Sequence, residues 1–326
     1  ISPDGALCRL PFAALPGAKP DSYLIEERAM VTIPVPSMLP DLLAPPTARD
    51  GKSTLLAVGD VDFGTVPEVK DPLAPTRGEW GNLPGTAGEL TKIAEAFRKA
   101  RPDAGATELR KAQASRKSLL EEAPKADYLH IATHGFFAPA GYGQLVGDTE
   151  EKRGMRFETG EKKSAAVVNP GLLSGLVFAG ANAPRLGESG ILTALEVTDM
   201  DLTRTRMVVL SACETGLGNT AGGEGVMGLQ RAFHLAGAKT AVTSLWKVDD
   251  KATEMLMGRF YDNVFEKKMG KLDALIDAQR WVMKEGPKSG FTRGMTLVRK
   301  PEAKEAEEKR AGAFYWGAFV LSGDWR

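Results

Sequence analysis

The sequence predicts an α/β fold, a mostly parallel β-sheet flanked by helices on both faces. Two observations carry that reading. From Thr54 onward, apolar runs of strand length alternate with longer stretches whose apolar residues recur at helical spacing. The chain also has material for a sizeable core, with 326 residues of which 43% are hydrophobic.

Residues 1–50 read as an N-terminal segment of the domain, and 51–326 as its core. In the first part, short apolar runs are broken by proline and glycine. Tyr23-Leu24-Ile25 and Met30-Val31-Thr32-Ile33 read as strands of a hairpin-like start, and Pro40 to Gly51 as a proline-rich connection. The core opens on the strand Leu55 to Gly59. Thr86 to Ala100 is a helix, with Leu90, Ile93, Ala94 and Phe97 on one face and Thr86 and Glu89 spaced as a capping box. Ser115 to Glu122 is a second helix. Tyr128 to Thr133 is a strand that runs into His134-Gly135, and Met207 to Ala212 is a strand that runs into Cys213. Gly225 to Ala236 is a helix stopped by Gly237. Thr240 to Trp246 is a strand, Asp250 to Lys268 and Leu272 to Lys284 are helices, and Phe314 to Leu321 is a closing apolar segment. Two inserts interrupt the alternation. Gly141 to Ala166 is polar and glycine-rich, and Arg299 to Arg310 is densely charged, the composition of a solvated loop or helix face.

Charge excludes some partners. Lysine plus arginine number 42 and aspartate plus glutamate 42, so no global field favours nucleic acid or an anionic membrane. No apolar run approaches the length of a transmembrane helix. The two cysteines, Cys8 and Cys213, make no disulfide framework, which points to a reducing, cytoplasmic setting. With His130, His134 and His234 they are too few and too scattered for a structural zinc site. The chain starts at Ile1 without a charged-then-apolar leader and reads as a piece of a longer protein.

In an open parallel sheet, ligands bind at the carboxyl ends of strands. His134 and Cys213 each follow a strand, so adjacent parallel strands would bring both to one edge. A thiolate is the reactive form of cysteine, and a nearby imidazole can take the thiol proton. Gly135 lets a substrate backbone approach, and the backbone N–H groups of Gly135 and Cys213 could form an oxyanion hole. Cys213 alone would read as core filler, since cysteine is among the most buried residues. His134 at the same edge is what points to chemistry. His130, inside its strand, reads as a packing residue, and His234 and Cys8 as structural. Gly223-Glu-Gly-Val-Met-Gly228 fits G-x-G-x-x-G, but a polar loop precedes it where a nucleotide fingerprint needs a strand, so it reads as a loop shaping the cleft beside Cys213.

These residues carry a resemblance. Tyr-Leu-His-Ile-Ala-Thr-His-Gly-Phe-Phe (128–137) resembles the histidine motif of the CHAT family, and Val-Val-Leu-Ser-Ala-Cys-Glu-Thr-Gly-Leu-Gly (208–218) its cysteine motif. Similar stretches follow at 169–180, 223–233, 241–250 and 314–324, and the start Ser-Pro-Asp-Gly-Ala-Leu is similar to the usual family start, so the likeness covers nearly the whole chain. CHAT domains resemble caspases and separase. The resemblance therefore implies a caspase-like sheet and hydrolysis of protein substrates by a His134–Cys213 dyad, with no metal or organic cofactor. It also implies a larger parent protein, in which TPR-type repeats or another regulatory partner outside this chain control the domain. Separase-like relatives hold a basic residue before the scissile bond in an acidic pocket. Asp249 and Asp250 resemble its acids, although Lys247 stands where separase has another, and Asp250 also suits a helix N-cap.

Two functions from different classes follow. One is a regulated cysteine endopeptidase. The other is a catalytically silent caspase-like scaffold that serves only as an interaction module, since fold alone does not guarantee activity. The intact His134 and Cys213 favour the first.

Overall fold

A computed structural model describes residues 1–45, 52–65, 80–137, 170–172, 174–184, 189–211, 213–214, 224–291 and 310–326. Its strands are β1 (Thr54–Val61), β2 (Gly105–Lys111), β3 (Tyr128–Ile131), β4 (His134–Phe137), β5 (Ser174–Val177), β6 (Ile191–Thr193), β7 (Met207–Leu210), β8 (Cys213–Glu214), β9 (Thr240–Ser244) and β10 (Phe319–Gly323). They form a six-stranded sheet in the order β10-β9-β7-β3-β1-β2 and a four-stranded sheet in the order β6-β5-β4-β8. Within the larger sheet every pair is parallel except β10 against β9.

The described helices are α1 (Leu39–Leu43), α2 (Gly85–Ala100), α3 (Arg116–Glu122), α4 (Ala194–Thr198), α5 (Glu224–Leu235), α6 (Asp250–Phe265), α7 (Lys271–Glu285) and α8 (Ala313–Trp316). Successive strand residues point to opposite faces, and the strands of the large sheet are apolar on both. Leu56, Val58, Leu129, Ile131, Val208 and Leu210 pack with Leu119 of α3 and Leu229 and Phe233 of α5. On the other face, Leu55, Tyr128, Met207, Val209 and Val242 pack with Ile93 and Phe97 of α2, Leu256 and Phe260 of α6 and Leu275 of α7. A doubly covered sheet explains the near-continuous apolar runs, because neither face meets water. The fold class read from the sequence is the one observed.

Several local expectations need correction. The first 45 residues contain no hairpin. Leu24–Glu26 is a 3-10 turn, Tyr23 bridges Pro16, and Thr32 bridges Ser322 of β10. The N–H groups that would pair the two strands bond elsewhere, Leu24 N to Leu15 O at 2.7 Å, Thr32 N to Leu321 O at 2.8 Å and Ile33 N to Ile1 O at 2.8 Å. The segment instead packs on the core, with the Tyr23 ring 5.0 Å from that of Trp316 and Arg280 Nε donating to Ile25 O at 3.1 Å. The expected proline-rich connection begins within the helix α1, which ends at the cap Ala44, and residues 46–51 lie outside the described residues. The capping box at α2 does not form, because Thr86 and Glu89 both lie inside the helix and are buried. Thr86 Oγ1 donates to Leu83 O at 2.7 Å and accepts from Asp60 N at 2.9 Å, which ties the first turn of α2 to the end of β1. From Glu224 onward the glycine-rich G-x-G-x-x-G stretch is helix rather than loop. Gly237 does mark the end of that helix. Its φ of 107° is a conformation that side chains resist, and a Cβ there would meet Thr203 N at 2.8 Å. The polar insert 141–166 lies outside the described residues, as does the charged insert apart from Arg310.

Among the described residues, no helix is long and apolar enough to cross a membrane.

Candidate active site

Strands β3 and β7 are parallel neighbours, in register from Tyr128↔Met207 to Ile131↔Leu210. The ladder runs slightly further, with Ser211 N donating to Ile131 O at 2.9 Å, and on the other side of β3 Ala132 N donates to Val58 O of β1 at 2.7 Å. Then both chains leave the large sheet. The sequence suggested unbroken strands up to His134 and Cys213, but β3 ends at Ile131 and β7 at Leu210, and each residue opens a new short strand. Thr133 Oγ1 donates to Val177 O of β5, and this bond draws the chain across to the second sheet. There β4 and β8 are again parallel neighbours, with His134 in register with Cys213 and Gly135 with Glu214. Gly135 also lies opposite Leu176 of β5, so it is held in the middle of the small sheet. Ala212 lies outside the described residues.

His134 is only 7% exposed. Its ring centroid lies 4.9 Å from Phe63 and 5.4 Å from Trp80, so two aromatic side chains wall it in. Nε2 is 2.7 Å from Gly81 O. A carbonyl only accepts, so Nε2 carries the hydrogen and Nδ1 holds the lone pair in the neutral ring. Burial pushes the His134 pKa below its ordinary 6.5, and the nearby Lys247 charge pushes the same way, while the Gly81 carbonyl opposes both. At neutral pH this imidazole is therefore an unprotonated base, with Nε2 committed to Gly81 and no partner for Nδ1 among the described residues.

Beside His134 is a pocket lined by Glu89, Thr133, Ser211, Lys247 and Asp250 among others. Glu89 is 4% exposed, which is unusual for a carboxylate and requires partners. Its Oε2 accepts from Ser211 Oγ at 3.2 Å, and its Oε1 faces His130 Nε2 at 3.2 Å. The other nitrogen of His130 is 3.0 Å from Tyr261 Oη. Burial, with the charge of Glu89 adding to it, raises the Tyr261 pKa well above its ordinary 10.0, so the phenol keeps its proton. His130 is thus the packing residue the sequence suggested, with a buried polar chain on either side of it.

The two aspartates separate. Asp249, not Asp250, caps α6, with Oδ1 accepting from Ala252 N at 3.0 Å. Asp250 is the first helical residue and lines the pocket, close enough to α2 that a Cβ on Gly85 would lie 2.8 Å from its own. His234 and Cys8 are both tied to main-chain carbonyls. His234 Nδ1 lies 3.0 Å from Ala238 O and its Nε2 2.9 Å from Ser322 Oγ, while Cys8 Sγ donates to Pro3 O at 3.5 Å.

Phe63, Trp80 and Gly81 escaped the sequence reading, and Glu89 entered it only as a capping residue. Glu89 had a signal, since it shares the four-residue step of Ile93 and Phe97 and so falls on the buried face of its helix. The loop residues had none beyond an aromatic between glycines in Gly78-Glu79-Trp80-Gly81.

The elements define an α/β domain with a histidine and a cysteine paired in register just beyond the carboxyl edge of its parallel sheet. The chain belongs to the CHAT family, whose domain model matches residues 1–324. Among named relatives, it is 26% identical over 275 residues to tetratricopeptide repeat protein 28 of Mus musculus, a match covering 80% of this chain and 10% of that protein. It is 25% identical over 270 residues to the Homo sapiens protein of the same name, with 80% and 10% covered. The chain thus spans about a tenth of the length of these curated relatives. Among solved structures it is similar to the Arg-specific cysteine proteinase gingipain R, at 10% identity and a TM-score of 0.42, covering 83% of this chain and 46% of that one.

Proposed function

We propose that this chain is a cysteine endopeptidase domain in which His134 is the general base for Cys213. The observation that carries the reading is their shared register position across β4 and β8. Neighbouring strands lie about 4.8 Å apart, a spacing that suits proton exchange between an imidazole and a thiol. His134 Nδ1 takes the proton, and the thiolate attacks the peptide carbonyl, forming a C–S bond and a tetrahedral oxyanion. The backbone N–H groups of Gly135 and Cys213 are assigned to that oxyanion. Collapse breaks the C–N bond as the imidazolium protonates the leaving amine. Water, deprotonated by the same imidazole, then cleaves the thioester and regenerates the thiol.

Of the acids suggested for substrate binding, Asp250 is the better supported, since Asp249 is committed to its helix cap. Among the described lining residues, Asp250 and Glu89 together outweigh the Lys247 charge, which favours a basic side chain before the scissile bond. Regulation is assigned to TPR-type repeats or a partner protein beyond this chain. The naming of the relatives as tetratricopeptide repeat proteins supports this.

The test is cleavage of a peptide library by the parent protein, with Cys213→Ala alongside. Cleavage by wild type alone, after basic residues, is expected. Equal cleavage by both would remove Cys213 from the chemistry. Cleavage by neither, with the regulatory partner present, would leave the chain an interaction module. Cuts after apolar residues would overturn the pocket assignment alone.

A further inference from the structure

We propose that Asn182 is the positioning residue that holds His134 in its base-competent orientation. The proposal rests on the reading of His134 as a base, and it names a residue far away in sequence, in the turn after β5.

His134 is oriented by three groups, the rings of Phe63 and Trp80 and the carbonyl of Gly81. None belongs to the strand that carries His134. All come from the connection that follows β1, so that connection needs an anchor of its own. Asn182 supplies it. Trp80 N donates to Asn182 Oδ1 at 2.9 Å, and Asn182 Nδ2 donates to Trp80 O at 2.9 Å and to Gly64 O at 2.9 Å. Asn182 N donates to Phe63 O at 2.8 Å. The amide spends its acceptor and both donors here. It grips both backbone polar groups of Trp80, much as a neighbouring strand would, and the next carbonyl along is the one that fixes His134 Nε2.

Neither aspartate nor alanine reproduces this set of bonds. Aspartate would keep the acceptor for Trp80 N but lose both donors. Alanine would lose all three side-chain bonds and free Trp80 and Gly81 to move. The Asn182 backbone bond to Phe63 would survive either change, as would the neighbouring bond from Gly180 N to Asp62 O at 3.0 Å, so the turn itself can persist.

The test is nuclear magnetic resonance of the histidine rings in the full chain, comparing wild type, Asn182→Ala and Asn182→Asp. His134→Gln assigns the signals. In wild type, His134 should show a slowly exchanging Nε2–H and titrate below the ordinary histidine range. In Asn182→Ala the exchange-protected ring proton is lost. The titration moves up, because burial is the main force lowering it and the Trp80 ring supplies part of that burial, while loss of the Gly81 bond only partly offsets the rise. His234, bonded to Ala238 and Ser322, should titrate as before. A merely structural Asn182 would lower the melting temperature and leave the His134 signals in place. Unchanged His134 signals in the folded variants overturn the proposal, and Asn182→Asp gives the same readout should Asn182→Ala not fold. Peptide cleavage by wild type is scored separately. Altered signals without wild-type cleavage would keep the positioning role and reject the peptidase reading. Unchanged signals with cleavage would reject the positioning role alone.

Discussion

His134 and Cys213 occupy one register position in a parallel ladder that begins at these two residues. The strands behind them are also parallel neighbours, so the pairing of β3 with β7 is handed on to β4 and β8. A core ladder thereby fixes the relative positions of two residues far apart in sequence. The connection after β1 then sets the state of the imidazole.

That arrangement predicts a pH profile. The acid limb of kcat/KM reports the base of the free enzyme. With the His134 pKa depressed, the limb should lie below pH 6.5. Lys247→Gln removes a positive charge that disfavours the imidazolium, so the pKa rises and the limb moves to higher pH. A limb that does not respond to Lys247 would show that another group is titrating.

Asp249 and Asp250 should behave differently despite being adjacent. Asp249→Ala removes the α6 cap and should cost about 1 kcal/mol in urea unfolding. Asp250→Ala should leave stability nearly unchanged and lower kcat/KM for basic peptides, on the order of tenfold or more. Similar stability losses for the two would assign both to the helix end.

How these residues read in the sequence follows a physical rule. Periodicity reports burial, so strands covered on both faces and helices with one apolar stripe were legible, and with them the edge where His134 and Cys213 meet. The motif residues were legible because the chemistry proposed for them requires particular side chains. Gly81 was not, because it acts through a carbonyl that every residue has. Glu89 was misassigned because its spacing from Thr86 fits a capping box, and only the tertiary packing of α2 shows that it faces His130 and Ser211. The paired strands expected before residue 34 do not form because Leu24, Thr32 and Ile33 bond to Leu15, Leu321 and Ile1 instead, partners that local β-propensity does not report.

Glu89 should matter to stability through its partners. Glu89→Ala leaves the buried His130 and the half-buried Ser211 without their carboxylate and should cost about 2 kcal/mol. Glu89→Gln preserves shape and an acceptor for Ser211, so its loss should be smaller. Chemical denaturation of the two variants measures this, and equal small effects would argue against a demanding buried network.

Histidine burial predicts an acid-side loss of stability. His134 and His234 both have pKa values lowered by burial from 6.5. Above that value both states are unprotonated and neither histidine contributes. As the pH falls through 6.5, the unfolded chain binds protons that the folded chain refuses, so stability declines until the folded pKa values are passed. His234→Gln should flatten part of that decline in melting temperature between about pH 7.5 and 5. An unchanged slope would contradict the burial argument for His234.

The most direct measurement is the rate at which iodoacetamide alkylates Cys213, followed by mass spectrometry with Cys8 as the internal control. It needs neither substrate nor activating partner. The account predicts that Cys213 reacts much faster than Cys8 near neutral pH, and that His134→Ala slows Cys213 while leaving Cys8 unchanged. Equal rates for Cys213 with and without His134 would contradict it.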